Sequence, residues 1–261
     1  AAEADVVGPA VAAEDPHGLL VQVFLLVQDG LGQLAGVAVA VLLALGLQLG
    51  GVILHLGNGG QLVHGADALL HVTPYYNKAS QTGLIKHYEY ISDRTDLPII
   101  LYNVPSRTGV SFTADTYKVL SENPKINGVK EASGNFSLLA HTRYLCPDDF
   151  YIWSGNDDQV VPMMALGAKG VISVASNIIP EVMVQMSHWC LDNDFESAAK
   201  LQIEYMDLID ALFCEVNPIP VKAAMNLMGM EAGSLRLPLC DISDKNLAVL
   251  RTSMERMGLL K

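Results

Sequence analysis

The side chain best placed for chemistry is Lys130, in the stretch Gly128-Val129-Lys130-Glu131-Ala132-Ser133-Gly134-Asn135. A short apolar run over 126–129 delivers this lysine just before a turn of small residues, and a helix can start at Asn135 or Ser137. At the end of a buried strand a lysine loses hydration, which disfavours its charged form, and the neutral amine can attack a carbonyl to form a Schiff base. The bland alternative is a lysine whose stem is buried and whose ammonium reaches solvent.

What weighs against the bland reading is the company Lys130 keeps. Four other apolar runs end in Thr73-Pro74-Tyr75-Tyr76-Asn77, in Tyr102-Asn103-Val104-Pro105-Ser106-Arg107-Thr108-Gly109, in Ser154-Gly155-Asn156-Asp157-Asp158 and in the residues from Ser173 to Asn177. A Schiff-base enzyme needs a nucleophilic lysine, a hydroxyl that moves protons and a clamp for a carboxylate; Lys130, a tyrosine and Arg107 supply them. Singly, Tyr75 and Tyr76 read as packing, Arg107 as a surface charge in a turn, and Asp157 with Asp158 as the solvated first turn of a helix. Their recurrence at successive strand ends favours the catalytic reading.

The elements that must position them follow from the hydrophobic pattern. Apolar runs at 68–72, 99–102, 126–129, 150–153 and 170–174 alternate with amphipathic stretches, the pattern of βα units on a parallel sheet. A helix is expected to begin near Ser80 with Leu84, Ile85, Tyr88 and Ile91 on one face, and others over 114–122, 136–145, 157–167, 180–191, 194–213, 218–228 and 243–257. The fold class is α/β, a (β/α)8 TIM barrel with a C-terminal helical extension, whose chemistry lies at the strand C-termini. Five strands cannot close such a barrel.

With 261 residues the chain suffices for one large α/β domain, and its net charge of −12, without basic clusters, argues against nucleic acid. Cys146, Cys190, Cys214 and Cys240 lie far apart and read as buried free thiols of a reducing compartment. No metal site is expected.

Composition changes near Gly65. Residues 1–64 contain no Lys, Arg, Ser, Thr, Tyr, Trp, Met or Cys, and nearly all can be encoded by codons beginning with G or C, Phe24, Ile53 and Asn58 excepted. A GC-rich wobble position read as a first position gives this bias, so 1–64 is read as a wrong-frame or wrong-strand translation joined to a genuine protein. An unbroken frame of ordinary codon usage across Gly65 in the source transcript would refute that. Residues 34–54 are long and apolar enough for a spanning helix of roughly 20 residues. They lack flanking Lys or Arg and an aromatic belt and contain Gly36, Gly46, Gly50 and Gly51, so a membrane partner is not expected. The domain reading is 1–64 anomalous, 65–190 βα units, and 191–261 helical.

Seven stretches together resemble the dihydrodipicolinate synthase (4-hydroxy-tetrahydrodipicolinate synthase) family of pyruvate-dependent class I aldolases, from about residue 65 to the C-terminus. They are Val72 to Lys78, Leu101 to Gly109, Val129 to Asn135, Ser154 to Asp157, Gly170 to Val174, Asn217-Pro218-Ile219-Pro220-Val221-Lys222 and Arg236-Leu237-Pro238-Leu239. The resemblance implies that Lys130 forms an imine with pyruvate, that Tyr102 relays protons, and that Arg107 holds the carboxylate of L-aspartate 4-semialdehyde. It further implies that Tyr76 crosses a dimer interface into a neighbouring site and that Gly155 and Ile172 line the pyruvate pocket. An enamine formed from the imine would attack the aldehyde, giving 4-hydroxy-tetrahydrodipicolinate for lysine and diaminopimelate biosynthesis, without metal or organic cofactor. A cytoplasmic homotetramer, a dimer of dimers, is the implied assembly.

Two departures qualify this. The family places three strands before the run at 68–72, apparently replaced here by an unrelated segment, and one of its turns carries a threonine that completes the proton relay. This chain has no threonine before Thr73. Weak or absent turnover is the resulting expectation; the alternatives are another pyruvate-dependent aldolase or lyase, disfavoured by Arg107, and a catalytically dead partial barrel.

Overall fold

The structure, a computed structural model, describes residues 68–260. Four strands, β1 (Leu69–Val72), β2 (Ile99–Asn103), β3 (Ile126–Glu131) and β4 (Tyr151–Ser154), form a parallel sheet in chain order. Between them lie α1 (Gln81–Ser92), α2 (Pro105–Thr108), α3 (Ala114–Ser121) and α4 (Phe136–Leu145). After β4 a 3-10 turn, Asp157–Gln159, leads into α5 (Val160–Ala165), and a second one, Ala175–Asn177, precedes α6 (Pro180–Leu191). The C-terminal region is helical: α7 (Phe195–Glu204), α8 (Met206–Leu212), α9 (Ile219–Leu227) and α10 (Asp244–Arg256), which packs on α8.

Local sequence explains where the helices start. Side chains of Ser80, Thr113, Asn135 and Asp194 accept hydrogen bonds from backbone N–H groups three residues on, satisfying donors that have no partner inside the helix. Leu84, Tyr88 and Ile91 of α1 are buried as the spacing requires, and Ile85 packs against them half-buried.

Alternate strand residues serve two faces. Leu69, Ile99, Leu101, Ile126 and Val129 face the helices and join the main core, where Tyr88, Phe112, Tyr117 and Phe150 form a row with ring centroids 5.6, 4.8 and 5.9 Å apart. Leu70, Ile100, Tyr102 and Val104 form a separate small cluster on the other face, with Val72, Ala132 and Trp153 against it. Burial on both faces is why these strands read as continuous apolar runs.

Three expectations need correction. The strand expected at 170–174 is reduced to a bridge between Ser154 and Val171. Ser154 N–H donates to the Gly170 carbonyl and Ile172 N–H to that of Ser154, but the amides of Val174 and Ala175 donate to Asp157 Oδ2 and so are not available to a ladder. The helix expected over 194–213 breaks at Tyr205, and the one over 157–167 begins as a 3-10 turn. Of the cysteines, Cys146 and Cys190 are buried, but Cys214 is half-buried and Cys240 is exposed in the loop before α10. The expectations for 1–64, the 34–54 span and the replaced strands fall outside the described residues. Among the described residues no helix is long and apolar enough to cross a membrane, and no group of His, Cys, Asp and Glu could hold a metal ion.

His71 of β1 is buried, and its pKa is lowered to about 4 by that burial and by the nearby His87. Because the folded value lies below the unfolded one, the stability is complete above about pH 6.5 and is lost as the pH falls toward 4. The linkage predicts a loss of about 2 kcal/mol between pH 7 and pH 5 from this residue. Urea titrations at the two pH values should find that loss, and the non-ionisable variant His71→Gln should lack it.

Candidate active site

The register of the sheet assembles the site. β2 and β3 are parallel neighbours with Tyr102 opposite Lys130, so both side chains leave the same face at the C-terminal ends of their strands. Lys130 Nζ lies 4.5 Å from the centroid of the Tyr102 ring, and Lys130 is only 8 % exposed. Burial lowers the lysine pKa to about 8; Asp157 opposes the shift, and Arg107 adds to it. At pH 7 about a tenth of such an amine is neutral, against a few parts in ten thousand of an ordinary lysine. The Tyr102 phenol is shifted upward by burial, with Arg107 opposing, so it keeps its proton at neutral pH and can donate it.

Gly155 lets the loop after β4 close over the lysine. Its N–H donates to the Glu131 carbonyl at 2.8 Å, and a Cβ placed there would lie 2.6 Å from Ala132 Cβ and 3.1 Å from Lys130 Cε. Gly155→Ala is therefore expected to displace the lysine and to cost about 1–3 kcal/mol by overpacking. Adding Ala132→Gly, which removes the shortest contact, should recover part of the loss in a thermal melt.

The structure brings Lys130, Tyr102 and Gly155 together, with Ile172 buried on the segment bonded to Ser154 beside them. Arg107, in α2, is exposed, and its guanidinium donates to the Asn217 carbonyl at 3.3 Å. Tyr76 does not join the group within the chain: it is 88 % exposed, in the turn after β1, with a left-handed φ of 70°.

Two carboxylates escaped the sequence reading. Asp157 is 1 % exposed, so it is not a solvated helix start; burial raises its pKa, with the nearby Ser173 hydroxyl and hydrogen bonds from the Ala175 and Val174 amides opposing. Glu131, the strand residue after Lys130, points to the opposite face. There it accepts hydrogen bonds from Asn103 Nδ2 (3.0 Å to each oxygen), Tyr117 Oη (2.9 Å) and the Ser133 amide (2.8 Å). A signal existed for Glu131: a charged residue inside a strand buried on both faces must be paired. Nothing in the local sequence distinguishes Asp157 from an ordinary acidic helix start.

The profile of the Dihydrodipicolinate synthetase family matches residues 54–257. The chain belongs to this family. It is 49 % identical over 191 residues to a 4-hydroxy-tetrahydrodipicolinate synthase of Clostridium novyi, covering 73 % of this chain and 64 % of the relative. It is 50 % identical over 195 residues to that of Caldicellulosiruptor saccharolyticus, covering 75 % and 66 %. A dihydrodipicolinate synthase crystal structure from Thermotoga maritima superposes with a TM-score of 0.74 at 43 % identity, covering 76 % of this chain and 70 % of that one. The chain thus spans a little under two thirds of the length of these two named relatives. The described residues have the parallel strands and helical C-terminal region of the family's (β/α)8 barrel, with β1 to β4 as successive strands of that fold.

Proposed function

We propose that this chain forms a Schiff base between Lys130 and pyruvate and condenses the resulting enamine with L-aspartate 4-semialdehyde to give 4-hydroxy-tetrahydrodipicolinate, the route toward lysine and diaminopimelate. One observation carries this reading: a lysine amine, buried and partly neutral at pH 7, lies over the ring of a tyrosine at the C-terminal ends of two adjacent barrel strands. Active sites of such barrels lie at that end.

In this reading Lys130 attacks the ketone, Tyr102 moves the protons, and the Gly155 backbone and Ile172 shape the pyruvate pocket. Arg107 sits at the rim, exposed and able to turn toward a second carboxylate, which favours aspartate semialdehyde over an uncharged aldehyde. Tyr76 would act from one protomer into the site of its partner; its exposure and left-handed backbone support a contact made outside its own chain. The family resemblance implies a homotetramer, a dimer of dimers, and sedimentation should find Tyr76→Ala shifted toward smaller species.

Intact-mass spectrometry after incubation with pyruvate and borohydride tests the reading. A pyruvyl adduct on the native chain that is absent from Lys130→Ala is the expected result, and soluble native protein that gains no adduct would refute it.

A further inference from the structure

Asp157 is a buried charge that the proposed chemistry leaves unused. It opens the 3-10 turn directly after the β4 end, two residues beyond the Gly155 that touches Lys130. Its Oδ2 accepts from Val174 N at 3.0 Å and Ala175 N at 2.9 Å, while Oδ1, equally buried, has no hydrogen-bond partner among the described residues. Two amides suffice to fasten the loop, and an amide side chain would do that as well. An ionised carboxylate that keeps a bare oxygen out of water needs a cation to offset its desolvation.

The groups around Lys130 identify that cation. Tyr102 presents a neutral ring from β2, Arg107 an exposed guanidinium from α2, and Glu131, next in β3, is turned away into its bonds with Asn103 and Tyr117. Asp157, two residues beyond Gly155, supplies the negative charge that favours the lysine's ammonium. We propose that Asp157 is the buried counter-charge of Lys130, and of the iminium that forms there, and so a positioning residue that acts through the lysine without touching the substrate.

The chemistry gives this role a purpose. The neutral amine adds to a ketone, water leaves and one proton is taken up from solvent, so an iminium cation replaces the resting ammonium. A fixed carboxylate holds the one positive charge in both states, and keeping the iminium charged preserves its power to withdraw electrons. The iminium half of the proposal rests on the Schiff-base reading; the ammonium half stands without it.

The test is trace acetylation of the full chain with acetic anhydride between pH 5 and pH 11, with the Lys130 peptide quantified by mass spectrometry. Only the neutral amine reacts, so the midpoint reports the charge balance whether or not pyruvate binds. The native midpoint is expected near pH 8. In Asp157→Asn, which keeps an acceptor for both amides, it should fall by about one unit, a tenfold gain in reactivity at pH 6. A midpoint unchanged by the substitution overturns the proposal. Should Asp157→Asn not fold, salt decides on native protein: a buried pair holds the midpoint steady from 0.05 to 1 M KCl, whereas control by exposed Arg107 raises it as screening grows. Failure of borohydride trapping with a native midpoint near 8 would refute the Schiff-base reading alone.

Discussion

Replacing Lys130 with methionine in an Asp157→Asn background, which removes the charge the lysine would otherwise leave unpaired, is expected to abolish the pyruvate adduct completely and at the same time to stabilise the folded chain. Both effects have one cause. The amine has a pKa of about 10.5 in the unfolded chain and about 8 in the folded one, so folding drives off a proton between those values and keeps a desolvated charge below them. The penalty is therefore fully present below pH 8 and is relieved as the pH rises toward 10.5. Its upper size is about 3 kcal/mol, with the charge of Asp157 already included, and the face of the Tyr102 ring returns part of it. A gain of about 1–3 kcal/mol in guanidinium unfolding at pH 7, shrinking toward pH 10, is the expected result. A methionine variant no more stable than the native chain at either pH would mean that the amine reaches water, and the argument for an activated nucleophile would fall with it. A site that costs stability in order to hold a neutral lysine is the familiar exchange between stability and function.

That Lys130 could be picked out from sequence, while Asp157 could not, has a physical reason. Gly155 and Ile172 came only from the family resemblance, whereas Lys130 and Tyr102 are placed by strand period and strand end, both local properties that a pattern of apolar runs encodes. Their shared face follows once the strands are parallel and in register, as the pairing of Tyr102 with Lys130 shows. Asp157 is different. Two acidic residues at a helix start look the same whether they meet solvent or the lid of a barrel, and what buries Asp157 is the return of Val174 and Ala175, 17 and 18 residues later. The same return explains the missing ladder at 170–174, because a side chain takes the amides that a strand would have used. Arg107 and Tyr76 were picked out by type and position, and within one chain both are exposed.

The second large effect is expected at Glu131, where stability and site geometry meet. Glu131→Leu would take the acceptor from the buried Tyr117 phenol and the half-buried Ser133 N–H, and would leave the Asn103 amide only its bond to Ser111 Oγ at 3.2 Å. Asn103 Oδ1 accepts from Phe112 N–H at 3.3 Å, which fixes the amide with its NH2 toward the carboxylate. Tyr117 is pushed well above the ordinary phenol value by burial and by the charge of Glu131, so it stays a donor across the working pH range. At about 1–3 kcal/mol for each orphaned group, the loss is on the order of 3–6 kcal/mol, a large part of the whole margin of a domain. Glu131→Gln keeps one acceptor but sets its own NH2 against donors, and should cost about half as much. Because Asn103 and Glu131 follow Tyr102 and Lys130 directly on paired strands, their bidentate contact also clamps the strand ends that hold the ring against the amine. The glutamine variant, if folded, should therefore form the pyruvate adduct more slowly without losing it, and a double-mutant cycle with Tyr117→Phe should show strong coupling in denaturant unfolding. Additive losses in that cycle, or a leucine variant within 1 kcal/mol of native, would mean that water takes over the bonds of Glu131 and that the strand ends are clamped by their backbone alone.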